Sequence, residues 1–190
     1  MKLSWSGWTW TVTAALALAA VAQTAPIDPA LLARATGGDV AAQLAVGEAY
    51  EQGEDVKPDY AKAAEWYRKA ADQKNPEAQI HLAALYRDGR GVNRDMTEAA
   101  AWYRKAAELG NASAQGTLGV LYSVGQGVPH DDVDAYYWFA LAAALKGPEQ
   151  EKYASNRQSM AARITADELA GAQDRVAKWL AAHKRPGTTN

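Results

Sequence analysis

The side chains with the greatest chemical reach in this chain are few. It has no cysteine and only three histidines in 190 residues, which excludes thiol catalysis, thiolate metal sites and disulfides. His81, His130 and His183 lie far apart and share no spacing suited to a metal ion. Asp131-Asp132 and Asp134 bunch where a helix would begin. Capping and the helix dipole account for carboxylates there, and the spacing is not that of an EF-hand. GRGV and GQGV look like fragments of phosphate loops, yet the chain has no P-loop, S-x-x-K, G-x-S-x-G or H-E-x-x-H. Asn111-Ala112-Ser113 fits a glycosylation acceptor. The hexapeptide WYRKAA, at 66–71 and again at 102–107, sets Trp-Tyr beside Arg-Lys, as a nucleic-acid stacking platform would. A net charge of −2 and a pI near 5.9 argue against that partner. No catalytic residue, metal ligand or cofactor is therefore assigned.

A motif written twice points to architecture. Shifting the chain by 36 residues aligns three copies: Ala42-Gln43 with 78–79 and 114–115, Tyr50 with Tyr86 and Tyr122, Gly53 with Gly89 and Gly125, and Asp59 with Asp95 and Asp131. A third, altered hexapeptide, WFALAA, stands at 138–143. Such self-similarity marks a repeat protein. Each copy reads as helix, loop, helix. In copy two, Ala78, Leu82, Leu85 and Tyr86 share one face of a first helix that Pro76 opens and that runs to about Tyr86. The loop glycines of DGRGV and VGQGV suit positive φ. Asp95 caps a second helix, in which Ala99, Trp102, Tyr103 and Ala106 form the buried stripe. Trp and Tyr are then core rivets, and Arg68-Lys69 and Arg104-Lys105 lie off the stripe in solvent. Abundant Ala and a single Phe agree with an all-helical chain.

The pattern A-Q-x3-L-G-x-L-Y-x2-G-x-G-V-x3-D-x3-A-x2-W-Y-x-K-A-A-x2-G resembles the Sel1-like repeat, a relative of the tetratricopeptide repeat. The likeness covers about 39–147. Copy two has Ala83 for the first Gly; copy one departs at Asp55, where the loop's second Gly is expected, and at Lys74, where the closing Gly is expected, so its loop is expected to differ. Residues 30–38 look like the end of a degenerate preceding unit. The resemblance implies an α-solenoid whose first helices line a concave, protein-binding face, in adaptors that are often exported bacterial proteins. A β-lactamase-type activity has been claimed for cysteine-rich members, whose cysteines this chain lacks. Tetratricopeptide groove positions carried onto matching residues give Leu44, Glu48, Glu51 and Gln52 in copy one. They give Ile80, Ala84, Arg87 and Asp88 in copy two, and Gly116, Val120, Ser123 and Val124 in copy three. For Ile80 and Val120, packing between neighbouring helices is the competing role.

The ends differ from the middle. Lys2, the apolar run Val12–Val21 and the small residues of Ala20-Val21-Ala22 read as a secretory signal over 1–22, cleaved before Gln23. Trp5, Trp8 and Trp10 suit a membrane interface, so an uncleaved anchor is the alternative. Export without cysteine suits a bacterial periplasm or exterior. Segment 23–38 precedes repeats at 39–75, 76–111 and 112–147; capping helices at 148–184 and a disordered tail at 185–190 follow. In copy three, Ala140-Leu141 replaces Arg-Lys, and Tyr136-Tyr137 replaces small or acidic residues. That apolar face needs cover, which a helix over Pro148–Ile164 and a second, opened by a T-x-x-E capping box at Thr165, would give. Leu169, Ala172, Val176, Trp179, Leu180 and His183 would form the covering stripe. Alternatively Tyr136 and Tyr137 form an aromatic patch for a partner.

The function expected is a non-enzymatic adaptor of the cell envelope, binding a peptide or helix of a protein partner on the concave face. A cell-wall or β-lactam hydrolase and a structural spacer are the alternatives.

Overall fold

The computed structural model describes residues 27–53, 58–145 and 147–183. The signal sequence, Asp55 and the tail at 185–190 lie outside them. Nine helices and no strands occur among the described residues: α1 (Pro29–Thr36), α2 (Val40–Gln52), α3 (Tyr60–Asp72), α4 (Pro76–Asp88), α5 (Met96–Glu108), α6 (Ala112–Val124), α7 (Asp132–Ala144), α8 (Gln150–Ala161) and α9 (Ala166–Ala182). None is long and apolar enough to cross a membrane.

Within each repeat the helix ends follow from the sequence. Asp39, Asn75 and Asn111 accept from the amides of Ala42, Ala78 and Ala114 to cap the first helices. Asp59, Asp95 and Asp131 do the same for the second helices. The first helices stop at Gly53, Gly89 and Gly125, all left-handed with φ of 73°, 69° and 69°. Helix α4 therefore extends to Asp88, one half-turn beyond the expected Tyr86.

Close contacts set the helices in order. Glu51 of α2 meets His81 of α4, Glu77 of α4 accepts from Asn111 at the start of α6, and Tyr153 of α8 lies on Gly116 of α6. The first helices thus form a row, α2-α4-α6, which α8 extends. Gln43, Gln79 and Gln115 are buried, and each donates through its carboxamide to the carbonyl eight residues earlier, on Ala35, Ala71 and Ala107. Gln150 makes a corresponding bond to Ala143, seven residues earlier and in register with Ala107, at 3.2 Å. Helices α1 and α8 therefore occupy the places of a preceding second helix and a following first helix.

The loops lock one repeat to the next. A Cβ on Gly91 would lie 2.2 Å from the Tyr60 carbonyl carbon, and one on Gly127 would lie 2.0 Å from the Met96 oxygen. Positive φ and close approach together demand glycine there. Copy one lacks the closing glycine, yet the turn is kept. Lys74 keeps the shape of a glycine turn, with φ 62° against 95° at Gly38 and 84° at Gly110. The backbone bonds Lys74 N–H to Ala71 and Asn75 N–H to Ala70 impose that conformation.

The aromatic stripe is core: Tyr67, Trp102, Tyr103, Trp138 and Phe139 are all buried. The basic pairs lie off the stripe as expected, with Arg68, Lys69 and Lys105 exposed and Arg104 half-buried, but each also rests on an aromatic ring. Arg68 and Arg104 stack over Tyr86 and Tyr122 of the following first helix and hydrogen-bond their hydroxyls. Lys69 and Lys105 lie 3.8 and 3.5 Å from the ring centres of Trp66 and Trp102. Their stems cover aromatic edges while the charges reach water.

The C-terminal helices close the array. Helix α8 spans only Gln150–Ala161, shorter than the expected Pro148–Ile164, and both bonds of the Thr165–Glu168 capping box form. Ala172 is buried, and Leu169, Val176, Trp179 and Leu180 pack half-buried on the core. His183 leaves the stripe: it is exposed and stacks on Trp179 at 3.9 Å. Arg175 ties α9 to α7, donating to Asp134 at 2.9 Å and lying over Tyr137.

Candidate functional site

The residues expected to bind a partner occupy the row of first helices, and the chemistry changes along it. At the junction of the first two repeats, Glu51 accepts from the Tyr67 hydroxyl at 2.7 Å and meets Arg90 Nη2 at 3.2 Å. His81 Nδ1 stands 3.2 Å from the same carboxylate, its ring stacked on Tyr67 with centres 4.7 Å apart. Glu48 lies 3.9 Å from His81 Nε2. The hydrogen bond from His81 holds Glu51 below the usual carboxylate range, against the effect of burial. The same bond raises His81 above an ordinary imidazole, so the ring is held toward its charged form.

This cluster is poorly suited to catalysis. Burial, and then the bond to Glu51, push the Tyr67 phenol up. A nucleophilic phenolate needs the opposite shift. What the cluster does is join repeats, with one acid gathering donors from α3, α4 and the following loop.

The next junction repeats the geometry with its polarity reversed. Arg87 stands at the register of Glu51 and donates to the Tyr103 hydroxyl at 3.3 Å. It also grips Asp88 through two bonds of 2.7 and 3.0 Å. Asp88 is held below its usual range chiefly by that contact. Arg90 bridges the clusters, lying 3.6 Å from Asp88. At the third junction both polar halves are gone. Ser123 bonds its own helix at Val120 O, and Phe139 replaces the tyrosine. Gly47 and Gly119 let these rings approach, since a Cβ at either would come within 2.6 Å of the Tyr67 or Phe139 ring.

The sequence-assigned face is thus partly open. Gln52, Arg87 and Asp88 are exposed, as are Val120 at 43% and Val124 at 55%. Leu44, Glu48, Glu51, Ile80, Ala84 and Ser123 are half-buried, with Leu44 and Ile80 packed on the core. Gly116 departs from the expectation: it is buried, and Tyr153 covers the place its side chain would fill. Tyr136 and Tyr137, 6% and 9% exposed, lie in the core beneath the cap. Sequence reasoning missed His81, Arg90 and Tyr67 as members of the junction. The common spacing from Glu51 to Tyr67 and from Arg87 to Tyr103 would have revealed two of the pairs. His130 and Arg163 form a separate group around Asp132 at the cap.

Comparison with known proteins supports this architecture. The Sel1 repeat family model matches residues 40–75, 76–111 and 112–146. A Sel1 repeat protein from Oxalobacter formigenes is 37% identical with a TM-score of 0.61, over 68% of this chain and 96% of that one. The protective antigen c5321 of uropathogenic Escherichia coli, described as an SLR fold, is 29% identical with a TM-score of 0.67 over 84% of this chain. This chain spans 36% of that longer protein. Cysteine-rich protein B of Helicobacter pylori, 22% identical with a TM-score of 0.51, shares the fold over 67% of this chain and 96% of its own. A comparison with curated proteins finds no match.

Proposed function

Because the chain belongs to the Sel1 repeat family, whose members are generally protein-interaction scaffolds, we propose that it is a non-enzymatic adaptor of the bacterial cell envelope. It binds a peptide or helix of a partner protein across the row of first helices. The observation that carries this reading is the exposed pair Val120 and Val124, one turn apart on α6, continuing a face that bears Arg87 and Asp88 on α4. Apolar side chains of a partner bury against the valines, at about 1.5 kcal/mol or more for each full burial. Charged ones meet the Arg87–Asp88 pair and Glu48. An amphipathic segment fits that sequence of surfaces. The signal-like pattern of residues 1–22 supports a periplasmic or extracellular site for such an adaptor.

The test is affinity capture from an envelope fraction with wild type, Arg87→Glu and Val124→Asp, using Glu65→Lys on the other row as control. The two face variants should lose the captured partner while keeping their helical circular dichroism and melting midpoint. Capture that survives both, or that fails equally in the control, refutes the face. Cell fractionation of the tagged full-length chain checks the compartment.

A further inference from the structure

Helix α9 shows how a second helix of this array receives another helix, and one copy of that seat stays open. On α7, Arg175 donates to Asp134 at 2.9 Å and lies 4.4 Å from the Tyr137 ring centre. One turn later, Trp179 stands against Gly110, its ring 3.4 Å from where a Cβ would be. In the 36-residue register, Asp134, Tyr137, Gly110 and Leu141 correspond to Glu98, Ala101, Lys74 and Lys105. Glu98, Ala101 and Lys105 are exposed on α5. Beside them lies a cavity of about 360 Å³, lined in part by Lys74, Trp102, Lys105, Glu108 and Leu109. Leu109, 47% exposed, is one of three large hydrophobic side chains left open among the described residues; the other two are Val120 and Val124. Gln73, its counterpart in repeat one, instead turns inward and donates to Gln43 Oε1 and Gly38 O, so that place is filled from within.

We infer that this cavity is a second docking point, taking a tryptophan side chain from a helix of a partner protein whose basic residue, one turn earlier, pairs with Glu98. The protein's own cap is the template: Trp179 and Arg175 are four residues apart and meet the same register positions one repeat later. A side chain at position 74 leaves room for the ring, because 3.4 Å from a Cβ is ordinary contact. Leu109 gives the indole an apolar wall, and burying both removes apolar surface from water. The ammonium groups of Lys74 and Lys105 at the rim favour an aromatic face over an aliphatic chain, and indole most of all. Ala101 is small where copy three has Tyr137, so a helix can lie close on α5. Trp179 of a second copy is already committed to its own cap, which leaves a different protein as the occupant. None of the lining residues belongs to the face proposed above, so the two sites stand or fall separately.

The probe is a blocked synthetic peptide of residues 165–183, titrated into the full chain. The indole N–H resonance of Trp102, assigned by its loss in Trp102→Phe, lies in the cavity wall and should shift saturably through the ring current of the incoming indole. Trp179→Ala in the peptide should weaken binding about tenfold or more, as for other buried aromatic anchors, and Trp179→Leu should weaken it less. Leu109→Asp in the protein, at an exposed position, should weaken the wild-type peptide to a similar degree while circular dichroism is unchanged. Glu98→Arg should also weaken it, and Arg175→Glu in the peptide should restore that loss. Arg87→Glu, on the row of first helices, should leave binding as it was. No saturable shift overturns the inference. So does equal binding of the Trp179→Ala peptide, or a Glu98→Arg protein that binds the wild-type peptide undiminished. Binding indifferent to Leu109→Asp overturns it too, since the peptide would then be displacing α9 from α7.

Discussion

Lys74 adopts a conformation that its equivalents reserve for glycine, and replacing it should stabilise the protein. Its φ of 62° lies in the left-handed region, where Gly38 and Gly110 stand in the neighbouring units. An L-residue loses about 1–2 kcal/mol there relative to right-handed backbone. Lys74→Gly removes that strain but gives the unfolded chain more freedom, at a cost of about 0.5–1 kcal/mol. The net gain should be about 0.5–1 kcal/mol, since the turn bonds from residues 74 and 75 stay in place. For a chain of this size, that raises the melting midpoint by about 1–4 °C. Lys74→Ala separates the effects: it removes the exposed ammonium but keeps the strained backbone, and should stay within about 0.5 kcal/mol of wild type. Urea denaturation of all three proteins, with melting followed by circular dichroism, measures the differences. If Lys74→Gly matches or falls below Lys74→Ala, the turn is not strained and the reasoning is refuted.

Trp102→Ala should cost about 3–5 kcal/mol, as for other buried aromatic truncations; an unchanged urea midpoint would remove Trp102 from the core. The His81–Glu51 pair gives a pH dependence with a definite sign. His81 is raised in the folded state, chiefly by its bond to Glu51, so its contribution is complete below the ordinary imidazole value near 6.5 and fades as pH rises through the higher folded value. Wild type should therefore lose more stability than His81→Gln between pH 6 and 8, and parallel curves would contradict the pairing. Glu51, lowered by the same contact, should lose its contribution on the acid side, below the ordinary carboxylate value. Truncation after Pro148 uncovers Tyr136, Tyr137, Ala140 and Leu141. Faster amide exchange in 112–143 than in 40–72, with self-association by light scattering, is the expected result; a monomer with unchanged protection would mean that α8 and α9 do not cap.

Much of the fold was legible because repetition is redundant. Asp95 and the loop glycines occur in aligned copies, so each helix boundary was read more than once. Lys74 departs from the glycine of its equivalents, and only the structure shows that backbone bonds from residues 74 and 75 enforce the same turn. The basic residues of WYRKAA were half-read: helical phase places Arg68 and Arg104 off the buried stripe, but the tyrosines that receive them belong to the next repeat. The candidate face was less legible. Phase alone marks Glu51 and Arg87 as outward, whereas their partners Tyr67, Tyr103 and Arg90 become visible only when helices are set side by side. Gly116 was misplaced because nothing in its own repeat announces Tyr153, which comes from the cap.

The glycine loops also give the array a direction in time. Gly91 and Gly127 each seat against the start of a second helix made 31 residues earlier, at Tyr60 and Met96. A ribosome delivers the helix first and its brace later. Helix α3 therefore leaves the exit tunnel with its first turn unsupported until the loop after α4 follows, and α5 waits in the same way for the loop after α6. Each unit is finished by its successor, so a nascent chain carries one incomplete repeat at its growing end, and a chain halted mid-array exposes the newest second helix to proteases while the older ones are already locked.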